Sequence, residues 1–291
     1  MGTRAGLVAL SLLALTAASV VAQDAAKSPP ATPAAAAKKP EAVRNPAPTA
    51  KDWADIAKLP DWSGIWNPNI TDQDKQIETN MPPWKPEIAA KIEFMRKEEK
   101  AGRPAPIVVS CLPQGMPAWM LITHNAVEIL FSPGRVTMLG ESDGNRLRRI
   151  YTDGRGHNDD GELFFMGHSI GHWEGETLVV ETVNIKPQTM FAISEAAGVP
   201  NNGDVKVIER IHLAANGTEL HTDLEIFAPN VLTKSWKTTR KYFRQRARKF
   251  EFVEGVCLEG NFSERLDKDG NHVFVEIQRH PWGNIIPQKK Q

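Results

Sequence analysis

From Ala126 onward the chain is a series of short segments in which apolar and polar residues alternate, separated by tight turns. "AVEILFS" (Ala126 to Ser132) meets the turn "PG" and then "RVTMLGE", and "RLRRIYTD" follows the turn "SDGN". "TLVVETVNI" (Thr177 to Ile185), "VKVIERIHL" (Val205 to Leu213), "TELHTDLEIF" (Thr218 to Phe227), "KSWKTTRKYF" (Lys234 to Phe243) and "HVFVEIQR" (His272 to Arg279) continue the series, with "AANG" and "DKDGN" as tight connections. A period of two puts one face of each segment against a core and the other toward solvent, so these are strands. With no alternation of strands and long helices, the neighbours are antiparallel. Closing the sheet removes its exposed edges, so the expected fold is a mainly β, antiparallel meander barrel of lipocalin-like form, with a two-sheet sandwich as the alternative.

One segment breaks the period. "KPEIAAKIEFMRKEEK" (Lys85 to Lys100) carries Ile88, Ile92 and Met95 at helical spacing, with Pro86 in the first turn and Gly102 and Pro104 beyond the end. It predicts one N-terminal helix ahead of most of the strands.

The N-terminus sets the expected compartment. Arg4 precedes an apolar run from Gly6 to Val21, and Val20 and Ala22 suit a cleavage site, so residues 1–22 are expected to be a signal peptide and the mature protein periplasmic or secreted. No segment approaches the roughly 20 apolar residues of a membrane helix. Residues 23–51, rich in Ala, Pro and Lys, have too little apolar surface to offset their ordering entropy and are expected to be a disordered tether. Residues 52–291 are then a single β-rich domain.

The chain holds 35 Lys and Arg against 35 Asp and Glu, which gives no reason to expect a nucleic-acid partner. The basic run "TTRKYFRQRARK" (Thr238 to Lys249) is expected to be a solvated edge. Cys111 and Cys257 are the only cysteines. In an exported protein they are expected to pair, and closing so long a loop contributes roughly 4 kcal/mol in the chain-entropy picture.

With these residues placed, a resemblance can be stated. "PDWSGIW", "CLPQGMP", "RRIYTDGRGH", "GHSIGHWEGETLVVET", "VIERI" and "CLEGN" resemble the motif string of a large group of exported, mostly uncharacterised bacterial proteins, over nearly all of the chain after residue 59. That resemblance implies no particular activity. "SGIW" is also similar to the Gly-x-Trp signature of lipocalin-type barrels, which implies that Trp66 packs across the barrel base.

Two stretches concentrate chemistry. In "YTDGRGH", Tyr151, Asp153, Arg155 and His157 alternate. A carboxylate, a guanidinium and an imidazole together can bind an oxyanion and move a proton. The competing reading is an Asp-Gly turn in which Asp153 caps backbone amides and Arg155 pairs with it. In "GHSIGHWEGETLVVET", "EGE" predicts a hairpin turn whose glycine takes a positive φ, and Trp173 suits a core plug or a wall of a ligand site. His168 and His172 share a face on an extended segment and, with His157, offer an alternative metal site; otherwise no cofactor is expected. "GHSIG" fits Gly-x-Ser-x-Gly but lacks the parallel α/β sheet of a nucleophile elbow.

Glu209 shares its strand face with Val205, Val207, Ile211 and Leu213, so it points inward and needs a partner, for which Arg240 or Arg155 is the candidate. The expected site is a pocket at the barrel mouth. In it, His157, His168 and Asp153 are catalytic candidates and Arg155, Tyr151, Trp173 and Glu209 are ligand contacts, with strands Arg148 to Asp153 and Thr177 to Ile185 as neighbours. The functional expectation is a hydrophobic or aromatic small molecule bound in the barrel interior. The alternative is a lyase, isomerase or hydrolase working through the His/Arg/Asp cluster without an organic cofactor.

Overall fold

The computed structural model describes residues 46–104, 113–122, 124–141, 146–252, 262–266, 268 and 272–276. The cysteines expected to pair, Cys111 and Cys257, lie outside the described residues, as do the signal segment and most of the tether.

Nine strands close into a barrel. In chain order they are β1 (Ile65–Pro68), β2 (Val127–Ser132), β3 (Arg135–Gly140), β4 (Leu147–Tyr151), β5 (His168–Glu174), β6 (Thr177–Val183), β9 (Lys206–Ala214), β10 (Glu219–Phe227) and β11 (Trp236–Gln245). A small hairpin, β7 (Met190–Ala192) with β8 (Gly198–Pro200), lies between β6 and β9 in sequence, and β12 (Phe262–Leu266) pairs with β13 (His272–Glu276) in a separate two-stranded sheet. From β2 to β11 the barrel strands run as a meander, and β1 closes the circle by pairing with both β2 and β11.

Two features depart from the sequence expectation. The stretch beginning at His168 is itself a strand, and β5 lies between β4 and β6, which are therefore not neighbours. The pairing of β4 with β5 is parallel, through Ile150↔Ser169 and Tyr151↔Ile170. A parallel neighbour needs a long return connection, here residues 152–167. The two-residue turn after Glu174, by contrast, is the expected hairpin: Glu174 pairs with Thr177 and Gly175 takes φ +61°.

The expected helix is α3 (Pro86–Lys100), with Ile88, Ile92 and Met95 buried. Two shorter helices precede it, α1 (Ala50–Ile56) and α2 (Ile70–Thr79), the first opened by a capping box between Thr49 and Asp52. A fourth, α4 (Ala118–Leu121), is buried at every residue. Its Leu121 carbonyl accepts a hydrogen bond from Arg240 Nε on the inward face of β11, and its Trp119 ring lies so close to Gly140 of β3 that any side chain there would collide with it. No helix among the described residues is long and apolar enough to cross a membrane.

Alternation places Val127, Ile129, Val136, Met138, Ile150, Leu178, Val180, Val207, Ile211, Leu220 and Leu224 inside, with Trp66 wholly buried among them. Each large apolar side chain removed from water contributes about 1.5–3 kcal/mol. Trp62, Phe131 and Trp173 form an aromatic cluster with ring centroids 5.3–5.9 Å apart. Trp173 is thus a packing residue and does not join the histidines.

The same inner face carries a polar layer. Arg148 and Glu209 are completely buried and form a two-pronged ion pair through both guanidinium Nη atoms, one contact measuring 2.9 Å. Arg148 also reaches Thr182 Oγ1 at 2.9 Å and Ser169 Oγ at 3.3 Å. The partner of Glu209 is therefore Arg148, and neither Arg240 nor Arg155. Glu209 sits on β9 with Val180 of β6 as its cross-strand neighbour, and Arg148 of β4 reaches it past Ser169 of β5 and Thr182 of β6. The basic run Thr238 to Lys249 is only in part the expected solvated edge: on β11 Thr238, Arg240 and Tyr242 point inward and are buried, whereas Arg246, Arg248 and Lys249 beyond the strand are exposed.

Candidate functional site

The residues outside this wall are built on the same strands in opposite phase. On β4, Arg148 and Ile150 face in, so Leu147, Arg149 and Tyr151 face out. On β5, Ser169 faces in with Arg148 and Thr182, so His168 faces out. On β6, Leu178, Val180 and Thr182 face in, so Glu181 faces out. Pairing of Ile170 with Glu181 then brings the Glu181 carboxylate to the level of His168.

The return connection 152–167 covers this outer face. It is held to the segment after β6 by Phe164 N–H donating to Asn184 O (2.9 Å), Lys186 N–H donating to Phe164 O (2.9 Å) and Asn184 Nδ2 donating to Asn158 O (2.9 Å). Gly167 ends it with φ +66°, and a Cβ at that position would meet Thr182 Cγ2 at 2.6 Å and Val183 O at 2.7 Å. A glycine is required for the chain to enter β5 at His168.

Under the connection the sequence cluster assembles in part. His157 Nδ1 lies 2.9 Å from His168 Nδ1, and His157 Nε2 lies 3.2 Å from Glu181 Oε1. A carboxylate only accepts, so His157 carries its proton on Nε2. In the neutral pair His168 Nδ1–H then donates to His157 Nδ1, which leaves His168 Nε2 as a lone pair with no hydrogen bond among the described residues. Tyr151 stacks on His168 with centroids 5.4 Å apart. Burial, reinforced by the nearby His157 and Arg155, lowers the His168 pKa below the ordinary histidine value, so at neutral pH this ring is an uncharged base.

Arg155 is not placed to hold a ligand anion. Its guanidinium contacts Asp153 through three hydrogen bonds of 2.6–3.0 Å and lies 4.0 Å above the Tyr151 ring. Asp153 also accepts the Arg155 backbone N–H at 3.3 Å. These bonds hold the Asp153 carboxyl below its usual range. The pair is the surface Asp-Gly turn, and its function here is to brace Tyr151 from above.

A cleft of about 460 Å³ opens beside the histidines, lined by Leu147, Tyr151, Phe164, Phe165 and Met166 together with the polar side chains of Arg146, Arg149, Asn158 and His168. It lies on the outer wall, whereas the expected pocket was at the mouth over the interior. Arg149 is exposed and makes no ion pair among the described residues. Glu209, on the inner face, does not reach the cleft. Ser169 of "GHSIG" is likewise inside the barrel, bonded to Thr182 at 2.8 Å.

His172 is exposed and bonded to Glu174 at 3.2 Å, well along β5 from His168. Among the described residues no three His, Cys, Asp or Glu side chains come together in a way that would hold a metal.

Glu181 and Arg149 were not singled out from sequence. The signal for both was strand phase: each is the out-facing neighbour of a buried polar residue, Thr182 and Arg148. Neither a protein-family model nor a curated protein sequence matches this chain.

Proposed function

We propose that this protein is exported and binds a small molecule with an aromatic or apolar body and one anionic group, and that the ligand occupies the outer-wall cleft. The observation that carries the reading is the make-up of that cleft: Leu147, Tyr151, Phe164, Phe165 and Met166 beside the guanidiniums of Arg146 and Arg149 and the neutral imidazole of His168, with Arg149 making no ion pair among the described residues. Such a surface takes apolar area from the ligand and fixes its orientation through few polar contacts. The barrel interior, where an apolar ligand was first expected, is occupied by Trp66, Tyr242, the Arg148–Glu209 pair and contacts to α4.

A screen of aromatic and aliphatic carboxylates by thermal shift tests this directly. A true ligand raises the unfolding midpoint in a saturable way, and Arg149→Ser and Met166→Lys each abolish the shift. A ligand whose shift survives both changes binds elsewhere, and the cleft proposal fails.

A second reading rests on the Glu181–His157–His168 chain. Its geometry suits general acid–base chemistry of the lyase, isomerase or hydrolase type. His168 Nε2 takes a proton from bound substrate, the proton on His168 Nδ1 passes to His157 Nδ1, and Glu181 stabilises the resulting His157 imidazolium. Product analysis of each hit from the screen decides between binder and enzyme. In an enzyme, His168→Gln abolishes turnover while leaving the thermal shift in place.

A further inference from the structure

We propose that the barrel interior contains a second site, which holds a singly charged anion against Arg240. Arg240 is 2% exposed. Its Nε donates to Leu121 O at 3.1 Å, and its Nη1 donates to Thr238 Oγ1 at 2.8 Å and Thr239 O at 2.9 Å. All three acceptors are uncharged, and Nη2 has no partner among the described residues.

The acids that could neutralise it are engaged. Glu209 is held by Arg148. Asp72 of α2, which acts on Arg240 through space, is bonded to Lys241 at 2.8 Å and to Gln76 at 2.5 Å. Burial lowers the Arg240 pKa to about 10, which still leaves the group charged at neutral pH. A buried charge without a contact counterion is strongly disfavoured.

Two further buried groups lie on neighbouring inward positions. Thr222 is the direct cross-strand partner of Arg240 in the β10–β11 register, and Tyr242 is two residues along β11 on the same face. Both hydroxyls are buried and without a hydrogen-bond partner among the described residues. Cross-strand and next-but-one positions are close enough for long side chains to meet. Arg240 Nη2, Thr222 Oγ1–H and Tyr242 Oη–H thus supply three donors and one uncompensated positive charge, which is the chemistry of an anion site. Gln73 Oε1, a buried acceptor without a partner, is uncharged and does not neutralise the guanidinium. One free positive charge selects one negative charge, and among closely packed side chains that means a small anion, either a halide or a carboxylate of the size of formate. The second charge of sulfate would remain buried and unpaired.

The test uses the full chain in sulfate buffer, with sodium chloride substituted at constant ionic strength and thermal unfolding as the readout. Sulfate strengthens burial by being excluded from protein surfaces, so replacing it by chloride lowers the midpoint of a protein that has no site. The expected result is a saturable rise. Sodium formate, a carboxylate without the apolar body that the outer cleft takes, replaces chloride to separate the two sources: a rise with chloride alone identifies a halide site, and a rise with formate identifies a site that takes carboxylates. Thr222→Val and Tyr242→Phe, which keep shape and remove one hydroxyl each, weaken the apparent affinity several-fold, and Arg240→Met removes the effect. Arg149→Ser in the outer cleft leaves it intact, so failure of the cleft proposal and of this one are distinguishable. A midpoint that only falls with both anions, or a rise unchanged in both hydroxyl variants, overturns the site.

Discussion

The inner and outer faces of β4, β5 and β6 are made of adjacent residues with opposite fates. Arg148 and Arg149 are neighbours in sequence, as are His168 and Ser169, and Glu181 and Thr182. Inside, Arg148, Ser169 and Thr182 satisfy one another and Glu209 completely. Outside, Arg149 has no ion-pair partner among the described residues and His168 has one bonded and one open ring nitrogen. A low-dielectric interior penalises every unmet polar group, whereas at the surface water meets what the protein leaves open. Spare valence for a ligand is therefore cheap on the outer wall. Inside, where Arg240 carries an orphaned donor, it is costly and calls for an occupant.

The comparison can be broken most easily at Glu209. Glu209→Ala leaves Arg148 buried without a counter-charge and is expected to cost about 3–5 kcal/mol, while Arg148→Met combined with Glu209→Leu recovers most of it. Urea unfolding of the three proteins measures both. A single-variant loss below about 1 kcal/mol, the centre of the range for point mutations generally, shows that the inner layer is less tightly coupled than its geometry implies.

On the outer face the expected effect is smaller and depends on pH. The folded state lowers the His168 pKa from the ordinary 6.5, so between the folded value and 6.5 the unfolded chain binds more protons. Stability then rises with pH through that window, is fully present above 6.5 and declines as the solution is acidified below it. His168→Gln should flatten this slope in urea unfolding series from pH 7 to pH 5. An NMR titration that places the His168 midpoint above 6.5 reverses the sign and refutes the buried-base description.

The smallest effect belongs to the Asp153–Arg155 pair, whose side chains are each about one-third exposed. Asp153→Asn should cost up to about 1 kcal/mol, less at high salt. A larger loss in chemical unfolding means that the pair organises the whole connection instead of bracing Tyr151 alone.

Much of the architecture was legible because strand phase is a local property. The alternation in "VKVIERIHL" already assigns Glu209 to the buried face, and the closeness of "YTDGRGH" and "GHSIG" in sequence singled out His157 and His168 as one candidate cluster. "KPEIAAKIEFMRKEEK" predicts its helix because Ile88, Ile92 and Met95 repeat every three to four residues. α4 escaped notice because "AWML" spans barely one turn, too short for a period to register. β5 escaped because Gly167 and Gly171 weaken any strand signal, although the same glycines fit the chain against Thr182 and Ile150.

The sequence by itself determined which residues share a strand face, where the hairpin turns at Gly134 and Gly175 fall, and that a barrel or a two-sheet sandwich would follow. Only the tertiary structure decided which of those faces meet. Alternation says that Glu209 points inward, but its partner is chosen by the strand order of the barrel, which sets Arg148 of β4 within reach of β9 over the inner faces of β5 and β6. The parallel entry of β5 beside β4 carries the histidines to the outer wall, and the pairing of Ile170 with Glu181 completes their chain. Periodicity acts between residues a few positions apart. The His157–Glu181 and Arg148–Glu209 contacts join residues 24 and 61 apart in sequence, a distance at which no local preference of the chain operates.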